Sequence, residues 1–402
     1  MKILQINISY KFGSTGKIMS DLNDVICKSG NNSYMLCGYS NEAAPNLYIM
    51  RKGSILKASR KDILISRLSG TMGYHYKKST LKAIEWIDTI KPDVIHLHNI
   101  HGDWINVKIL FEYIRKKQIP VVWTLHDCWS FTGRCSHFEL FRCEKWKTGC
   151  FKCKNRKVYP ITYFFDKSKS MWKDKKKWFT SVKKMTIVTP SKWLANYVRQ
   201  SFLKDYPIKV INNGINTQVY RPQTTCNRYY QGFEGKHIIL GVANSWTARK
   251  GYYDFIKLDG MIDHNMYQIV LVGLNSRQLK LIPNSIKGIA RTENEQELIE
   301  LYSGATVFVN PTYQDNYPTT NLEAQACGTP CITYRTGGSP ESISDGIGCI
   351  CEQGNTKQLL ESIIKTCRQS YDSVELQNYA KEHFDKCRKY EKYIECYHSL
   401  VE

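Results

Sequence analysis

The sequence predicts an α/β protein of two domains, each a parallel sheet covered by helices. Two observations carry this. Short β-branched apolar runs alternate with segments long enough for helices, and the alternation starts again after the polar connection Asn212-Asn213-Gly214. The chain has 402 residues, too many for one ordinary core. The boundaries read from the pattern are 1–211 for the first domain, 212–385 for the second, and a C-terminal helical segment, 386–402, packing back toward the first. A Cys-rich insertion occupies about 128–160 of the first domain.

Taken in order, Lys2 to Ser9 carries Ile3, Leu4, Ile6 and Ile8 in a strand-like run. Gly13 and Gly16 follow, and Ile18, Leu22, Val25 and Ile26 recur at helical spacing until Gly30. Ser14-Thr15-Gly16-Lys17 resembles the end of a phosphate-binding P-loop, but Lys11 stands where that loop requires its first glycine. A P-loop is therefore excluded. The turn serves either tight packing or backbone approach to a phosphate or an acceptor. Further strands are predicted at Ser33–Cys37, Asp93–Leu97, Val121–Leu125, Thr186–Val188 and Ile208–Ile211. In the second half they fall at His237–Val242, Tyr267–Val272, Ile286–Ala290, Thr306–Val309 and Cys331–Tyr334.

The densest information lies between Ala305 and Glu341. A strand stops at Asn310-Pro311, a polar loop follows, and Leu322–Cys327 reads as a helix with Gly328 past its end and Pro330 barring continuation. Such a unit sets backbone N–H groups and the positive end of a helix dipole beside a loop at the carboxyl end of a sheet, where a phosphate can sit. Two acids, Asp315 and Glu323, flank that position.

The net charge is +21, from 57 Lys and Arg against 36 Asp and Glu, and demands an anionic partner. Two stretches, Arg51–Lys78 and Lys167–Phe179, interleave cations with apolar side chains, the second carrying Lys173, Lys175, Lys176 and Lys177 among Trp172 and Trp178. Segments of this kind can lie on an anionic membrane surface. Aromatic interleaving also suits single strands, but no nucleic-acid motif accompanies it and no nucleic acid is expected. No apolar run reaches the length of a membrane span, and the N-terminus turns polar too early for a signal peptide. A cytoplasmic protein, peripheral on the inner face of the membrane, is the expectation. The 15 cysteines then read mostly as small buried hydrophobes or metal ligands. Cys135, Cys143, Cys150 and Cys153, spaced Cys-x7-Cys-x6-Cys-x2-Cys, either form a structural zinc site or stay as buried free thiols, with Cys128 and His137 as spare ligands.

The stretch from Asp315 to Glu341 resembles the signature of retaining glycosyltransferases of family 4. Asp315 and Glu323 have the spacing of that family's Glu-x7-Glu pair, Leu322-Glu323-Ala324 matches its triplet, and Gly328-Thr329-Pro330 and Gly337-Gly338-Ser339-Pro340-Glu341 follow in order. Lys250-Gly251 looks like the family's phosphate element, Asn213-Gly214-Ile215 like its interdomain turn, and Thr189-Pro190-Ser191 like its strand end before the linker. The resemblance implies the GT-B fold, two facing Rossmann-like domains with parallel sheets and an interdomain cleft. It implies an enzyme of the hexosyltransferase type that moves a sugar, with retention, from a nucleotide-sugar donor to a hydroxyl of a glycan acceptor.

The roles implied are these. Glu323 accepts hydrogen bonds from the donor ribose, and Thr319, Thr320 and Asn321 offer backbone amides to the diphosphate. Asp315 faces the donor sugar, with Asn316 and Tyr317 beside it. Lys250, helped by Arg249, neutralises charge on the leaving diphosphate, so catalysis requires no metal. His126, at the end of a strand in the first domain, orients the sugar, while Gly13 and Gly16 approach the donor. His98 and His101 are candidates to border the acceptor. Three departures from the pattern stand out: Asp315 replaces a Glu, Tyr317-Pro318 replaces a Phe-Gly-like pair, and the Arg expected upstream of Lys250 is not evident in Gly241–Asn244. The basic first domain points to a lipid-linked acceptor of polysaccharide or lipopolysaccharide assembly. The competing enzyme readings are an inverting transferase or a sugar-nucleotide epimerase on the same fold. A non-catalytic sugar-nucleotide or nucleic-acid binder is the alternative from another class.

Overall fold

The computed structural model describes residues 1–52, 60–157, 159–223, 228–343 and 346–402. The chain divides into two units, Met1–Asn212 with Lys389–Glu402, and Asn213–Arg388.

The first unit carries β1 (Lys2–Ser9), β2 (Asn32–Ser40), β3 (Leu47–Lys52), β4 (Val94–Leu97), β5 (Val121–Thr124), β6 (Met185–Thr189) and β7 (Ile208–Val210). They form one parallel sheet in the order β3-β2-β1-β4-β5-β6-β7. The second unit carries β8 (His237–Val242), β9 (Tyr267–Val272), β10 (Lys287–Ile289), β11 (Val307–Asn310), β12 (Cys331–Tyr334) and β13 (Cys349–Cys351), also parallel, in the order β10-β9-β8-β11-β12-β13. In each sheet the order reverses beside the first strand. That is the topological switch point at which α/β sheets open a crevice beyond their carboxyl ends.

Strands covered on both faces must be apolar throughout, and every residue of β4, β5, β6, β9, β11 and β12 is buried. The predicted strands are found with shifts of up to three residues at their ends. Two further strands, β3 and β13, lie at sheet edges. β13 has only 3 residues, too few for a period to register, and β3 begins a stretch whose continuation, residues 53–59, lies outside the described residues.

The C-terminal helix Lys386–Val401 buries Tyr390, Tyr393, Cys396 and Tyr397. All four belong to the first unit, where a polar network fixes Tyr393 and Tyr397. The Tyr397 hydroxyl meets His96 Nδ1 at 2.7 Å, His96 Nε2 meets Thr124 Oγ1 at 2.8 Å, and that hydroxyl donates to Tyr393 at 3.0 Å. Each buried polar group thereby has a partner, without which its desolvation would be costly. The outgoing and returning segments of the second unit run side by side. Ile215 N–H donates to Phe384 O at 2.8 Å and Lys386 N–H to Ile215 O at 2.9 Å, and a Cβ on Gly214 would stand 2.5 Å from Lys386 Cα.

Backbone packing at the carboxyl end of the second sheet is closer still. Gly273, just past β9 with φ +99°, places its α-carbon where an added Cβ would lie 1.6 Å from Ala243 O. Gly273→Ala should destabilise the second unit by about 2 kcal/mol or more, read as a lowered denaturant midpoint at unchanged slope. An unchanged midpoint would mean that these two loops do not pack as described.

Candidate active site

The helix Thr319–Ala326 opens after Pro318, which has extended backbone and supplies no side-chain cap. The first amides of any α-helix lack intrahelical acceptors, so half-buried Thr319 and Thr320 present theirs at its start. Asn321 is different. Its N–H already donates to Pro318 O at 3.2 Å, and its fully buried side chain accepts from Asn310 Nδ2 at 2.7 Å and donates to Ser342 Oγ at 2.8 Å. It therefore ties the helix to β11 and to the turn Ser339–Ser342 rather than offering an amide to a ligand, which corrects the role expected for it. Glu323, one turn into the helix, is only 7% exposed, and its Oε2 accepts from the Tyr302 hydroxyl at 3.1 Å. Burial holds that phenol far above its ordinary pKa, so it remains a donor. Tyr302 gave no local signal in the sequence, because it reaches Glu323 from the end of a different helix, Glu295–Ser303.

Before that helix the chain makes the loop that holds Asp315. The Lys250 ammonium stands 2.5 Å from Asp315 Oδ2, both side chains about three-quarters covered. Arg249 faces the same loop, donating through Nη1 to Gln314 O at 2.6 Å while its own carbonyl accepts from Tyr313 N at 2.7 Å. On the other side Gly338 N–H donates to Asp315 O at 3.0 Å, and a Cβ on Gly337 would lie 2.0 Å from that oxygen. Asn316 N–H donates to Asp315 Oδ1 at 2.9 Å, orienting the carboxylate. Tyr317 is buried and its carbonyl accepts from Asn213 Nδ2 at 3.1 Å. Within this unit the structure thus brings Arg249, Lys250, Asp315 and the start of the helix around one loop, with Gln314 beneath. The Gln314 side chain is fully buried, and neither amide atom has a hydrogen-bond partner among the described residues.

In the first unit His126 follows β5 and is half-buried, with Nε2 3.2 Å from His98 Nδ1. His98 stacks in turn on His96, ring centroids 4.1 Å apart. Burial depresses the His126 imidazole to about 4, so it is neutral near pH 7. Its neighbour Asp127 is opposite in character. Burial alone would raise its pKa, but His101 Nε2 at 2.8 Å and Trp129 N–H at 2.8 Å hold it down at about 2. Gly16 serves packing, since a Cβ there would meet Ser9 Oγ at 2.9 Å, whereas Gly13 adopts φ +68° with open space where its Cβ would be. Of the two readings of this turn, Gly16 supports packing and Gly13 leaves backbone approach available.

Two expectations about the surface change. In the helix Ser168–Phe179, Met171, Trp172, Lys175, Trp178 and Phe179 share one face and are all buried, leaving Lys173, Lys176 and Lys177 exposed. The tryptophans therefore belong to the core, because their spacing matches the helix period and not a membrane-facing stripe. Of the stretch Arg51–Lys78, Ile55, Leu56 and Lys57 lie outside the described residues, while Leu64 and Ile65 are exposed on the helix Arg60–Ser69. Its C-terminal end is bound by the loop that follows the cysteines, Tyr163 N–H donating to Arg67 O at 2.9 Å. That loop exposes Tyr163, Phe164 (67%) and Phe165 (59%). Among the described residues no helix is long and apolar enough to cross a membrane.

Residues 57–219 match the family model described as Glycosyltransferase Family 4, and residues 227–383 the model described as Glycosyl transferases group 1. Two parallel α/β domains matched by this pair define a glycosyltransferase of the GT-B class. The chain belongs to glycosyltransferase family 4. It is 24% identical over 387 residues, 90% of either chain, to a protein of Escherichia coli K12 named for colanic acid biosynthesis, the glycosyl transferase WcaC. It is 23% identical over 164 residues, 38% of this chain and 43% of the other, to the capsular polysaccharide biosynthesis glycosyltransferase CapM of Staphylococcus aureus. The fold is similar to sucrose-phosphate synthase of Thermosynechococcus elongatus, with a TM-score of 0.73 and 14% identity over 100% of this chain and 99% of that one. It is also similar to Anabaena HepE in complex with UDP-glucose, with a TM-score of 0.65 and 14% identity over 100% of both chains.

The buried imidazoles make stability pH-dependent in a defined direction. His96, His98 and His126 are all held below their ordinary pKa by burial, so between about 6.5 and 4 the unfolded chain binds more protons than the native one. The stability they confer is complete above about 6.5 and is lost as pH falls through that window. Thermal midpoints should therefore drop from pH 7 to pH 5, and His98→Gln should flatten the slope. A slope unchanged by that substitution would show that His98 is not buried neutral.

Proposed function

We propose that this glycosyltransferase moves a sugar, with retention of anomeric configuration, from a nucleotide-sugar donor to a hydroxyl of a lipid-linked glycan during cell-surface polysaccharide or lipopolysaccharide assembly. The observation that carries the donor half is the Lys250–Asp315 pair at 2.5 Å beside the start of the helix Thr319–Ala326. A diphosphate at the amides of Thr319 and Thr320 would draw on the helix dipole, and Lys250 would turn from Asp315 to the leaving oxygens as charge builds there. Asp315, freed of its cation, would face the donor sugar. Glu323, already oriented by Tyr302, would accept from the ribose hydroxyls, and His126 is the first domain's candidate to orient the sugar. Because His126 is neutral near pH 7, it would do so as a hydrogen-bonding group rather than as a charge. None of these steps requires a metal. WcaC and CapM are named for polysaccharide biosynthesis, and HepE was solved with UDP-glucose, which supports a nucleotide-sugar donor and a glycan product.

The membrane half of the reading rests on a different surface from the tryptophan-bearing helix. Leu64, Ile65, Tyr163, Phe164 and Phe165 are exposed, with exposed Arg67, Arg156 and Lys167 around them. Arg67 reaches the Tyr163 hydroxyl at 3.3 Å, and Lys167 Nζ lies 6.0 Å from the centre of the Phe165 ring. Apolar side chains ringed by cations match the interface of an anionic bilayer, where the rings enter the acyl boundary and the cations meet headgroups.

Lys250→Ala should lower kcat by about a hundredfold, whereas Glu323→Gln should chiefly raise the KM for the donor. A screen of nucleotide sugars for thermal stabilisation identifies the donor for these assays, since a ligand that binds only the native state raises its midpoint. If both variants keep wild-type kinetics, or if NMR of the product shows inverted configuration, the proposed mechanism is wrong. The double substitution of Phe164 and Phe165 by Ser should weaken cosedimentation with anionic vesicles about tenfold or more. Unchanged cosedimentation would remove the membrane half and leave the donor half standing.

A further inference from the structure

The cysteine excursion between β5 and the helix Ser168–Phe179 contributes nothing to the proposed sugar chemistry, yet its construction is specific. Its regular structure is limited to short 3-10 turns, among them Glu139–Phe141 and Lys145–Lys147, so backbone ladders do not hold it. Cys135, Cys143, Cys150 and Cys153 are all free and half-buried. Cys135 and Cys153 share a hydrogen bond, Cys150 lies in the electrostatic reach of Cys135, Cys143 and Cys153, and its sulfur accepts Gly133 N–H at 3.1 Å. A Cβ on Gly133 would come within 2.7 Å of Cys150 Cβ and 2.5 Å of Ser168 O, so that amide reaches the sulfur only because the residue is glycine.

Around these sulfurs stand two buried cations. Arg134 is 4% exposed, and its Nη1 is buried with no hydrogen-bond partner among the described residues. Its charge acts on Cys135 and Cys153. Lys175 is fully buried, in the field of Cys150 and Cys135, and its ammonium donates to Trp129 O at 2.7 Å and Thr132 O at 3.1 Å. The carboxylates within electrostatic reach are committed elsewhere. Asp127 is bound to His101 and to Trp129 N–H, and Asp166 accepts from Cys153 N–H at 2.7 Å and Ser168 N–H at 3.0 Å. Burial by itself drives the Lys175 ammonium toward its neutral form, so its charge, like that of the Arg134 guanidinium, is favourable only beside counter-charge that neutral thiols do not supply.

We propose that Cys135, Cys143, Cys150 and Cys153 bind one divalent ion of the zinc class as a structural tetrathiolate site, with Arg134 and Lys175 as its buried counter-charges. Four thiolates around a divalent ion carry a net charge of about −2, which balances the two cations. Gly133 N–H then donates to a ligating sulfur, which orients that thiolate and tempers its charge. Among the described residues no three His, Cys, Asp or Glu side chains are already disposed as a cage. Protonated thiols pack at hydrogen-bond range, whereas thiolates close on zinc at about 2.3 Å, so the ion itself completes the geometry. The site would fix the loop that starts at Asp127, next to His126.

The test is metal analysis of the full-length protein purified without chelators, followed by cobalt substitution. About one zinc per chain is expected, released as a mercurial titrates the thiols, and the cobalt form should show sulfur-to-cobalt charge transfer with tetrahedral d–d bands. Cys143→Ser and Cys150→Ser should each lose the ion, while Cys27→Ser, far off in the first helix, should keep it. Should the serine variants fail to fold, Cys153→His is the informative variant, since zinc accepts imidazole: retention of the ion with weakened sulfur-to-cobalt charge transfer identifies a ligand, and an unchanged cobalt spectrum overturns its assignment. Arg134→Met should hasten loss of the ion to a chelator. Protein free of metal after growth with zinc, a cobalt spectrum without charge transfer, or a native Cys135–Cys153 disulfide by mass spectrometry would each overturn the proposal.

Discussion

The second domain depends on backbone lying directly against backbone at the carboxyl ends of its strands. Gly273 meets the Ala243 carbonyl, Gly251 the Pro311 carbonyl, and Gly337 the Asp315 carbonyl, with an added Cβ at 1.6, 2.3 and 2.0 Å respectively. Each contact joins loops that follow different strands, and all three glycines have positive φ. A side chain at any of these positions would push the loops apart by an atom's width. The consequence falls on Lys250 and Asp315, which sit next to two of these contacts and meet at 2.5 Å. The ion pair is thus set by main-chain geometry before side-chain attraction acts, which is how a site is made rigid without a large local core.

Much of this was legible in the sequence because parallel strands buried on both faces must be written as continuous apolar runs. The strands of both sheets announce themselves in that way, and the helix after Pro318 is bounded by residues whose conformational preferences are unambiguous. Edge strands are not so constrained, and β3 and β13 gave little signal. The helix Thr319–Ala326 and the loop before it were legible through spacing, but Asn321 shows the limit of that argument. Its position in the motif suggested an amide for a ligand, while Asn310 and Ser342, 11 and 21 residues away, claim its side chain. Tyr302 and Gln314 escaped for the same reason, since their significance lies in contacts between elements that a linear pattern does not encode.

Charge and hydrophobicity separate differently in three dimensions from the way they mix along the chain. Lys167–Phe179 looked like one basic aromatic surface, yet the helix turns its lysines and tryptophans to opposite sides and takes Lys175 into the core. Burial of an ammonium with only two carbonyls and the face of the Trp129 ring, 3.5 Å away, for partners is unfavourable unless something anionic lies nearby. A position that reads as surface charge is thereby one of the strongest constraints on what the cysteine excursion can hold. The exposed aromatic tip at Tyr163–Phe165 carried no comparable periodicity, because a loop presents side chains without a repeat.

The replacement of Glu by Asp at position 315 acquires a physical meaning from the pair it forms. A carboxylate one methylene shorter is held by its own backbone, through Asn316 N–H, and by the Gly338 amide on its carbonyl, so it has little freedom to follow a ligand. Lys250, on a flexible stem and a quarter exposed, does have that freedom. When an anion competes for the ammonium, the lysine is the partner that moves, and the carboxylate remains where the loop puts it. A longer acid would share the motion and blur the distance between the two groups. In the proposed reaction the shorter one would keep a fixed negative charge toward the sugar and a mobile positive charge toward the phosphates, the separation that departure of a diphosphate from a developing sugar cation calls for.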